Sequence, residues 1–321
     1  MQIIEDGNKY NINSNTYIAL GSFDGLHAGH MQLIEKTIKL SRENNAKSMV
    51  YTFKNHPRGV INKDMTPKLL MDNDTKIKVL DELGVDILNF ITFDKNFMKV
   101  SPDGFVLNLI NNYNAKGIIV GFNYRFGYKN LGDVTLLNEL SRKYNFHLYV
   151  IEPVKYNNEL VSSSNIRRII SESGEMNKVN RMLTRPFSIS GNVVEGRQIG
   201  RTIGFPTVNL DYSKNFIIPR GGVYFTIVQY KNDFYKGVTN IGYNPTVKNN
   251  KLSLETHILN FHKSVYNEEI RIYFIDRIRD EKKFNSLDEL KIRINEDKKY
   301  VEKQNLELIV KNNLQQKGYL L

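Results

Sequence analysis

Hydrophobic and polar positions alternate in two different ways along this chain, and the change falls near residue 185. In the first half, short apolar runs bounded by turn residues predict buried strands, and longer stretches of helical period separate them. Strands that alternate with helices indicate parallel crossovers, so the first half is predicted to be a doubly wound α/β parallel sheet. The predicted strands are 17–20, 47–53, 87–93, 117–121 and 146–151; the predicted helices are 27–40, 74–83, 134–144 and 164–173, with others starting at Pro102 and ending near Leu183.

The second half follows a period of two and is rich in Val, Ile, Thr, Tyr and Phe from 187 to 274. Short strands with Gly, Asn and Pro turns favour a small antiparallel β-barrel. A helical pattern returns at Ser286 and predicts a C-terminal helix. We place the domain boundary at the change of period, which gives domains 1–184 and 185–321. The predicted barrel strands are 188–194, 223–230, 234–240, 252–260 and 270–275.

Composition narrows the function classes. The chain has no cysteine, which excludes disulfides, thiolate nucleophiles and Cys–zinc sites. Its N-terminus is acidic and polar, and no apolar run approaches the roughly 20 residues of a membrane span, so we expect a cytoplasmic protein without membrane partners. The net charge of +11 suits anionic ligands such as nucleotides. Because the lysines are scattered, a solvated basic surface is favoured over a nucleic-acid interface.

Residues 16–30, TYIALGSFDGLHAGH, combine a buried strand, a glycine-containing turn and a helix start. Free amide groups and the helix dipole make such a turn an anion site, and two imidazoles three residues apart add donors. A chance helix-face pair or a metal pair is the alternative, but no third zinc ligand is evident at suitable spacing. The predicted phosphate-binding residues are Gly21, Ser22, Phe23, Asp24, Gly25, His27 and His30.

Other polar groups follow predicted strands or begin a helix. His56 and Asn123 each follow a strand, so they share the carboxyl rim of the sheet with His27. A turn histidine is the default interpretation of His56. Ser163 and its neighbours begin a helix in which Arg167, one turn on, can bind two phosphate oxygens. An ordinary N-cap with a solvated arginine is the interpretation that these residues favour when taken alone.

A glycine-rich segment and a nearby pair of oxygen donors stand out in the second half. The glycines of GRQIGRTIGFPTVNL (196–210) predict a loop whose bare backbone approaches phosphates. Thr207 and Asn209 share one face of an extended segment, and their oxygens suit Mg²⁺. Glu255 lies within a predicted strand, where a carboxylate can accept a proton. A Thr/Asn turn pair and an ordinary edge-strand glutamate are the alternatives.

Six motifs occur in the order found in one known family. GSFDGLHAGH resembles the nucleotidyltransferase signature, and GFNYRFG (121–127) and VSSSNIRR (161–168) resemble later motifs of the bacterial bifunctional riboflavin kinase/FAD synthetases. GRQIGRTIGFPTVNL, GVTNIGYNPT (237–246) and ETHILNF (255–261) are similar to the kinase domain of that family. The resemblance covers nearly the whole chain and divides where the period changes. It implies a nucleotidyltransferase domain followed by a kinase β-barrel.

For the first half, the resemblance implies transfer of AMP from ATP to FMN, with His27, His30 and Arg167 in catalytic roles. Phe53 or Phe126 would stack on the flavin ring, although core packing is as good an interpretation of Phe126. The further residues that the resemblance assigns to ATP in this half are Asn123, Arg125, Ser163 and Ser164.

For the second half, the resemblance implies phosphorylation of riboflavin, with Glu255 as general base on the terminal ribityl hydroxyl. Thr207 and Asn209 would hold Mg²⁺. The implied ATP-binding residues are Gly196, Arg197, Gly200, Gly204 and Pro206, and the implied flavin-closing residues are Arg279, Glu281 and Phe284.

The predicted function is therefore synthesis of FMN and then FAD, with ATP and Mg²⁺ at two separate sites and riboflavin, FMN and ATP as the partners. Two alternatives remain at this point. One is an enzyme with a single active domain, the other serving as scaffold. The second is a flavin-sensing or RNA-binding module, which the basic charge motivates and which predicts salt-sensitive RNA binding.

Overall fold

The computed structural model describes residues 1–6, 12–62, 66–196, 200, 203–243 and 252–313. The chain forms two compact units, Met1–Ser163 and Ser164–Leu321. Arg197, one of the predicted ATP-binding residues, lies outside the described residues. None of the helices in the described ranges is long and apolar enough to cross a membrane.

The first unit is built on a six-stranded sheet in which all neighbouring strands are parallel. This confirms the predicted doubly wound α/β class. Its strands are β1 (Gln2–Glu5), β2 (Thr16–Leu20), β3 (Lys47–Phe53), β4 (Ile87–Ile91), β5 (Ala115–Gly121) and β6 (His147–Ile151), with a small hairpin of β7 (Lys155–Tyr156) and β8 (Glu159–Leu160). Its helices are α1 (Ala28–Glu43), α2 (Pro57–Ile61), α3 (Asn73–Glu82), α4 (Pro102–Tyr113) and α5 (Val134–Tyr144).

The strand order is β1-β4-β3-β2-β5-β6. All residues of β2 and β4 are buried, as expected for parallel strands covered on both faces. The helix starts agree with the sequence, because the side chains of Asp72 and Ser101 accept hydrogen bonds from backbone amides at the first turns of α3 and α4. Pro102 occupies the first turn of α4, where its missing N–H costs nothing.

The second unit contains a closed antiparallel barrel with strand order β10-β13-β12-β11-β14-β9, which confirms the predicted barrel. Its strands are β9 (Phe187–Val194), β10 (Val208–Tyr212), β11 (Gly222–Tyr230), β12 (Asp233–Tyr243), β13 (Leu252–Ile258) and β14 (Glu269–Arg279). The helices that the described part of the chain shows after β8 are α6 (Ser163–Glu172), α7 (Met176–Leu183), α8 (Leu287–Glu302) and α9 (Leu306–Asn313). The helix predicted from Ser286 is α8, with Ser286 as its N-cap.

Strands β1 and β10 were absent from the predicted set. Strand β1 has the sequence QIIE, in which the two apolar residues are adjacent and only Ile4 is buried, so it shows no alternation with a period of two. Strand β10 is likewise short, and Leu210 is its only buried residue. Its pairing with β9 and β13, rather than its own hydrophobicity, makes it a strand.

Helix α7 packs on the barrel that follows it. The Asn180 amide donates to the carbonyl of Phe274 at 2.8 Å, and its oxygen accepts from the backbone amide of Phe187 at 2.9 Å. These bonds tie α7 to β14 and β9, so α7 groups with the second unit, whereas the predicted boundary at 184/185 assigns it to the first domain. That boundary stays a prediction.

Candidate active sites

The first candidate site lies on the turn between β2 and α1. Strand β2 is central, with β3 on one side and β5 on the other. The chain proceeds from β2 through β3 to β4 and then crosses back to β5, so the carboxyl end of β2 is the point where the sheet changes direction. Crevices at such points bind ligands in open α/β sheets. His27, His56 and Asn123 all follow strands that end at this edge, as predicted.

The imidazole rings of the two histidines, His27 and His30, are stacked face to face. Their ring centroids are 3.6 Å apart with an interplanar angle of 17°. His27 is the N-cap of α1, and its Nδ1 accepts a hydrogen bond from the backbone amide of His30 at 3.4 Å. A Cβ on Gly29 would lie 3.3 Å from the His27 ring, so glycine leaves room for it. Both imidazoles therefore sit at the positive end of the helix.

The turn before the histidines has an unusual backbone. Phe23 and Leu26 have φ of 47° and 40°, and Gly25 has φ of 79°. Left-handed conformations are costly for bulky residues and persist only where the surroundings enforce them. Both side chains are fully buried, so the hydrophobic core supplies that constraint. A rigid turn of this kind fixes the directions of its amide groups.

Hydrogen bonds from three separate segments also hold the turn. The carbonyl of Ser22 accepts from Thr52 Oγ1 at 3.0 Å. The Asp24 carboxylate accepts from the backbone amide of Leu70 at 3.1 Å. The Asp24 carbonyl accepts from Ser163 Oγ at 2.9 Å, which places that predicted serine beside the turn.

A small cleft opens beside the turn. Ser22, Asp24 and the half-buried Phe53 contribute to its lining. His56 also lines it and caps α2, accepting at Nδ1 from the amide of Arg58 at 3.2 Å, in agreement with the default interpretation of a turn histidine.

The predicted residues after β5 lie in different surroundings. Asn123 is exposed at the carboxyl rim, and Arg125 is exposed and pairs with Asp133 at 3.3 Å. Phe126 is 5% exposed and stacks on Tyr124 with centroids 5.7 Å apart. Phe126 therefore packs in the core of the unit, the alternative that the sequence left open, and Phe53 is the more accessible of the two rings.

Helix α6 carries the remaining predicted phosphate ligands. Ser164 is exposed in its first turn, and Arg167 is half-buried one turn on. Arg168 is exposed, donates to Asn165 Oδ1 at 2.8 Å and pairs with Glu172, consistent with a solvated position.

The second candidate site lies at the rim of the barrel, where a glycine-containing loop, residues 203–207, leads into β10. The carbonyl of Gly200 accepts from the amide of Phe205 at 2.7 Å. A Cβ on Gly200 would overlap the Phe205 carbonyl, and Gly204 has φ of 86°, so both positions require glycine. A Cβ on Gly196 would overlap the side-chain amide of Asn209, which places that predicted residue at the same loop.

Three polar side chains form a row across this rim. Glu255 on β13 is paired with Asn209 on β10 and with Asn240 on β12. Directly opposed residues of neighbouring strands lie on the same face of a sheet. In β13, Leu254, Thr256 and Ile258 are buried, so Glu255 and His257 share the opposite face. We name Asn209, Glu255 and Asn240 the polar row.

His257 links the polar row to the loop. Its Nδ1–H donates to the carbonyl of Pro206 at 2.9 Å, and its ring packs edge-on against Phe205 with centroids 5.6 Å apart. Burial lowers the pKa of His257 below 6.5, so the imidazole is neutral at pH 7. Pro206 directly precedes Thr207, so this contact fixes the backbone that presents the Thr207 hydroxyl.

The segment after β14 reaches the other end of the row. Burial raises the pKa of the Glu281 carboxyl, while its hydrogen bond with Asn240 and the charge of Arg279 oppose that increase. A Cβ on Gly242 would overlap the same carboxylate. Arg279 binds Asp297 of α8 through two nitrogens, at 3.0 and 2.8 Å, and lies 5.9 Å from the Phe284 ring. Its guanidinium thus anchors the segment.

Two residues that sequence reasoning did not single out belong to these sites. Asn240 lies inside the motif GVTNIGYNPT, but only the barrel register places it beside Glu255. Lys76 is buried on α3, and its Nζ donates to the Ser22 carbonyl at 3.2 Å. A signal for Lys76 exists in the sequence: it precedes Val79 and Leu80 by three and four residues, on the apolar face of its helix.

Comparison with known proteins gives a match for each unit. Residues 9–165 match the family model of FAD synthetase, and residues 183–305 match that of riboflavin kinase. A relative from Buchnera aphidicola subsp. Schizaphis graminum, named bifunctional riboflavin kinase/FMN adenylyltransferase, is 36% identical over 91% of this chain and 95% of its own. A relative of the same name from Bacillus subtilis is 33% identical over 89% of this chain and 91% of its own.

A solved structure from Streptococcus pneumoniae has the same fold over most of its length. It is described as a macrolide-efflux protein. The two chains are 27% identical with a TM-score of 0.86, and the match covers 95% of this chain and all of the other.

Proposed function

Because this chain belongs to the bifunctional riboflavin kinase/FMN adenylyltransferases, we propose that its two candidate sites divide the two reactions between them. The protein phosphorylates riboflavin to FMN and adenylylates FMN to FAD. The observation that carries the division is that each family match contains the central element of one of the two sites. The histidine-bearing turn lies within residues 9–165, and the polar row lies within residues 183–305.

For adenylyl transfer, a phosphate oxygen of FMN attacks the α-phosphorus of ATP, and the bond from that phosphorus to the bridging oxygen breaks as pyrophosphate leaves. This reaction needs in-line positioning and charge stabilisation rather than covalent catalysis by the protein. We assign His27 and His30, at the start of α1, to stabilise the charge that develops on the phosphates. Arg167, Ser163 and Ser164 are assigned to the ATP phosphates, with Asn123 at the nucleotide.

For riboflavin phosphorylation, Glu255 accepts the proton of the terminal ribityl hydroxyl as its oxygen attacks the γ-phosphorus of ATP, and ADP leaves. The polar row supports this assignment, since Asn209 and Asn240 flank the carboxylate on both sides. The glycine-containing loop is assigned to the phosphates of ATP, and the segment with Glu281 and Phe284 to the flavin.

The donors beside the loop fit a magnesium ion. Thr207 supplies a hydroxyl and Asn209 an amide oxygen, both hard donors. Within the described ranges, no group of three or more His, Cys, Asp or Glu residues could hold a metal ion alone. Mg²⁺ held by these two residues would take its other ligands from water and nucleotide phosphates, and when bound it neutralises phosphate charge.

The test separates the two reactions. The protein is incubated with ATP and Mg²⁺ and with either riboflavin or FMN, and the flavins are separated by chromatography. Riboflavin should yield FMN followed by FAD, and FMN alone should yield FAD. FMN without FAD from riboflavin, or FAD from FMN with riboflavin unchanged, would show that only one unit is active.

A further inference from the structure

Lys76 is a buried cation on the inner face of α3. It is 5% exposed, and the apolar residues Val79 and Leu80 follow it on the same face of the helix. Lysine is rarely buried to this extent, because removing an ammonium from water is unfavourable unless a compensating group is present. Its position therefore needs a reason other than packing.

The Lys76 ammonium points to the turn between β2 and α1 rather than to a partner at the surface. Its Nζ donates to the carbonyl of Ser22 at 3.2 Å and lies 5.7 Å from the centroid of the Phe90 ring. The same carbonyl accepts from Thr52, so two side chains hold one oxygen. Burial lowers the pKa of Lys76 from 10.5 to about 8, and the nearby Asp24 carboxylate opposes that decrease.

We infer that Lys76 is a positioning residue for adenylyl transfer, which holds the strained Ser22–Leu26 turn through the Ser22 carbonyl and adds positive charge behind the phosphate site. This inference rests on the proposed division of the two reactions. The turn contains left-handed backbone at Phe23 and Leu26, which external contacts must enforce. Lys76 supplies such a contact and also a charge of the sign that polyphosphate binding requires.

Other titratable groups line the same cleft, and their contribution to the pH dependence has to be distinguished from that of Lys76. They are Asp24 on the turn itself, and Lys54 and His56 after β3. Lys54 pairs with Asp6 at 2.8 Å and with Glu5 at 2.9 Å, and these bonds raise its pKa. Lys54 therefore stays charged through the range in which Lys76 loses its proton.

The experiment compares Lys76→Met with Lys78→Met in the full-length protein. Lys78 lies on the same helix, but it is exposed and pairs with Glu82 at 3.9 Å. We expect Lys76→Met to reduce FAD formation from FMN by about 10- to 100-fold, the scale for a residue that acts through a neighbouring group rather than on the developing charge itself. Riboflavin phosphorylation should stay within about twofold of wild type in both variants, since the kinase site lies in the other family match.

The pH profile distinguishes a positioning ammonium from ordinary packing. FAD formation by the wild type should decrease above about pH 8 as Lys76 deprotonates. Lys76→Met should lack this decrease, and Lys76→Arg, which stays charged, should retain activity at higher pH. Lys76→Met should also melt no lower than wild type, because it replaces a desolvated charge with an apolar side chain of similar length while Thr52 still donates to the Ser22 carbonyl.

Each outcome has one meaning. Wild-type rates of FAD formation in Lys76→Met, or an alkaline decrease that persists in it, would overturn the role of Lys76. A lowered melting temperature with an unchanged pH profile would show a purely structural role and overturn it as well. If the wild type itself forms no FAD from FMN while it phosphorylates riboflavin, the proposed division fails before Lys76 is tested.

Discussion

In the proposed division of the reactions, the two candidate sites bind the same co-substrate, ATP, on different frameworks. The first is a strained turn at a helix N-terminus, with two stacked imidazoles and a buried lysine. The second is a row across three strands, in which Asn209 and Asn240 flank Glu255. Under the proposed assignments, adenylyl transfer relies on fixed positive charge, whereas phosphorylation of an alcohol also needs a group that removes a proton.

The largest effect should come from removing that proton acceptor. Glu255→Gln keeps the size of the side chain and its place in the polar row, but it cannot accept the ribityl proton. We expect riboflavin phosphorylation to decrease by about 10²- to 10⁴-fold. FAD formation from added FMN should be unchanged and serves as the internal control. Kinase turnover at the wild-type rate would remove Glu255 as the base.

His30→Ala tests the first candidate site, which we assign to adenylyl transfer. It removes one of the two stacked rings, and we expect FAD formation from FMN to fall by about 10²- to 10³-fold, the scale for loss of one donor to a charged transition state. Phosphorylation of riboflavin should continue at the wild-type rate. Equal loss of both activities would contradict the separation of the two sites.

Removing one of the proposed magnesium ligands should have a smaller effect on kinase activity. Thr207→Val keeps the shape of the side chain and removes the hydroxyl, so a higher Mg²⁺ concentration should be needed for half-maximal kinase activity. The measurement is a magnesium titration of riboflavin phosphorylation. Thr239→Val, which alters a threonine buried within the barrel, is the control and should leave the magnesium requirement unchanged. A Thr207→Val titration curve identical to wild type would exclude Thr207 as a ligand.

The smallest effect concerns pH and His257. The pKa of His257 is lower in the folded protein than in the unfolded chain. At pH values between that lower pKa and 6.5, the unfolded chain therefore binds more protons than the folded protein. The free energy of unfolding should therefore decrease as the pH falls below 6.5 and should be fully retained above it. His257→Phe should flatten this dependence in thermal melts of the full chain. A wild-type melting temperature that is constant from pH 7 to pH 5 would contradict the assignment.

Sequence patterns were sufficient wherever a local rule decided the structure. The caps at Asp72 and Ser101 follow from side-chain oxygens that bind backbone amides of their own helices. The change to a period of two correctly indicated the barrel. The rim shared by His27, His56 and Asn123 follows from one fact, that parallel strands end at one edge.

Features that depend on contacts with distant residues could not be predicted from local sequence patterns. Asn240 becomes a neighbour of Glu255 only through the register of β12 on β13. Lys76 reaches Ser22 across 54 residues of chain, and nothing local distinguishes it from an exposed lysine at the same helix position except its apolar companions. Strand β10 exists because β9 and β13 both pair with it. In each case tertiary contacts, rather than propensity, decide the outcome.

Leu26 combines a left-handed backbone with a fully buried side chain, and the combination limits how this turn can change. Glycine would relax the backbone but leave a void where the side chain was, and a β-branched residue would fill the void but tolerate the backbone still less. Every single substitution of Leu26 is therefore expected to lower the free energy of unfolding. The turn and the side chains packed beneath it must therefore vary together, so the hydrophobic interior constrains the sequence of the proposed phosphate site.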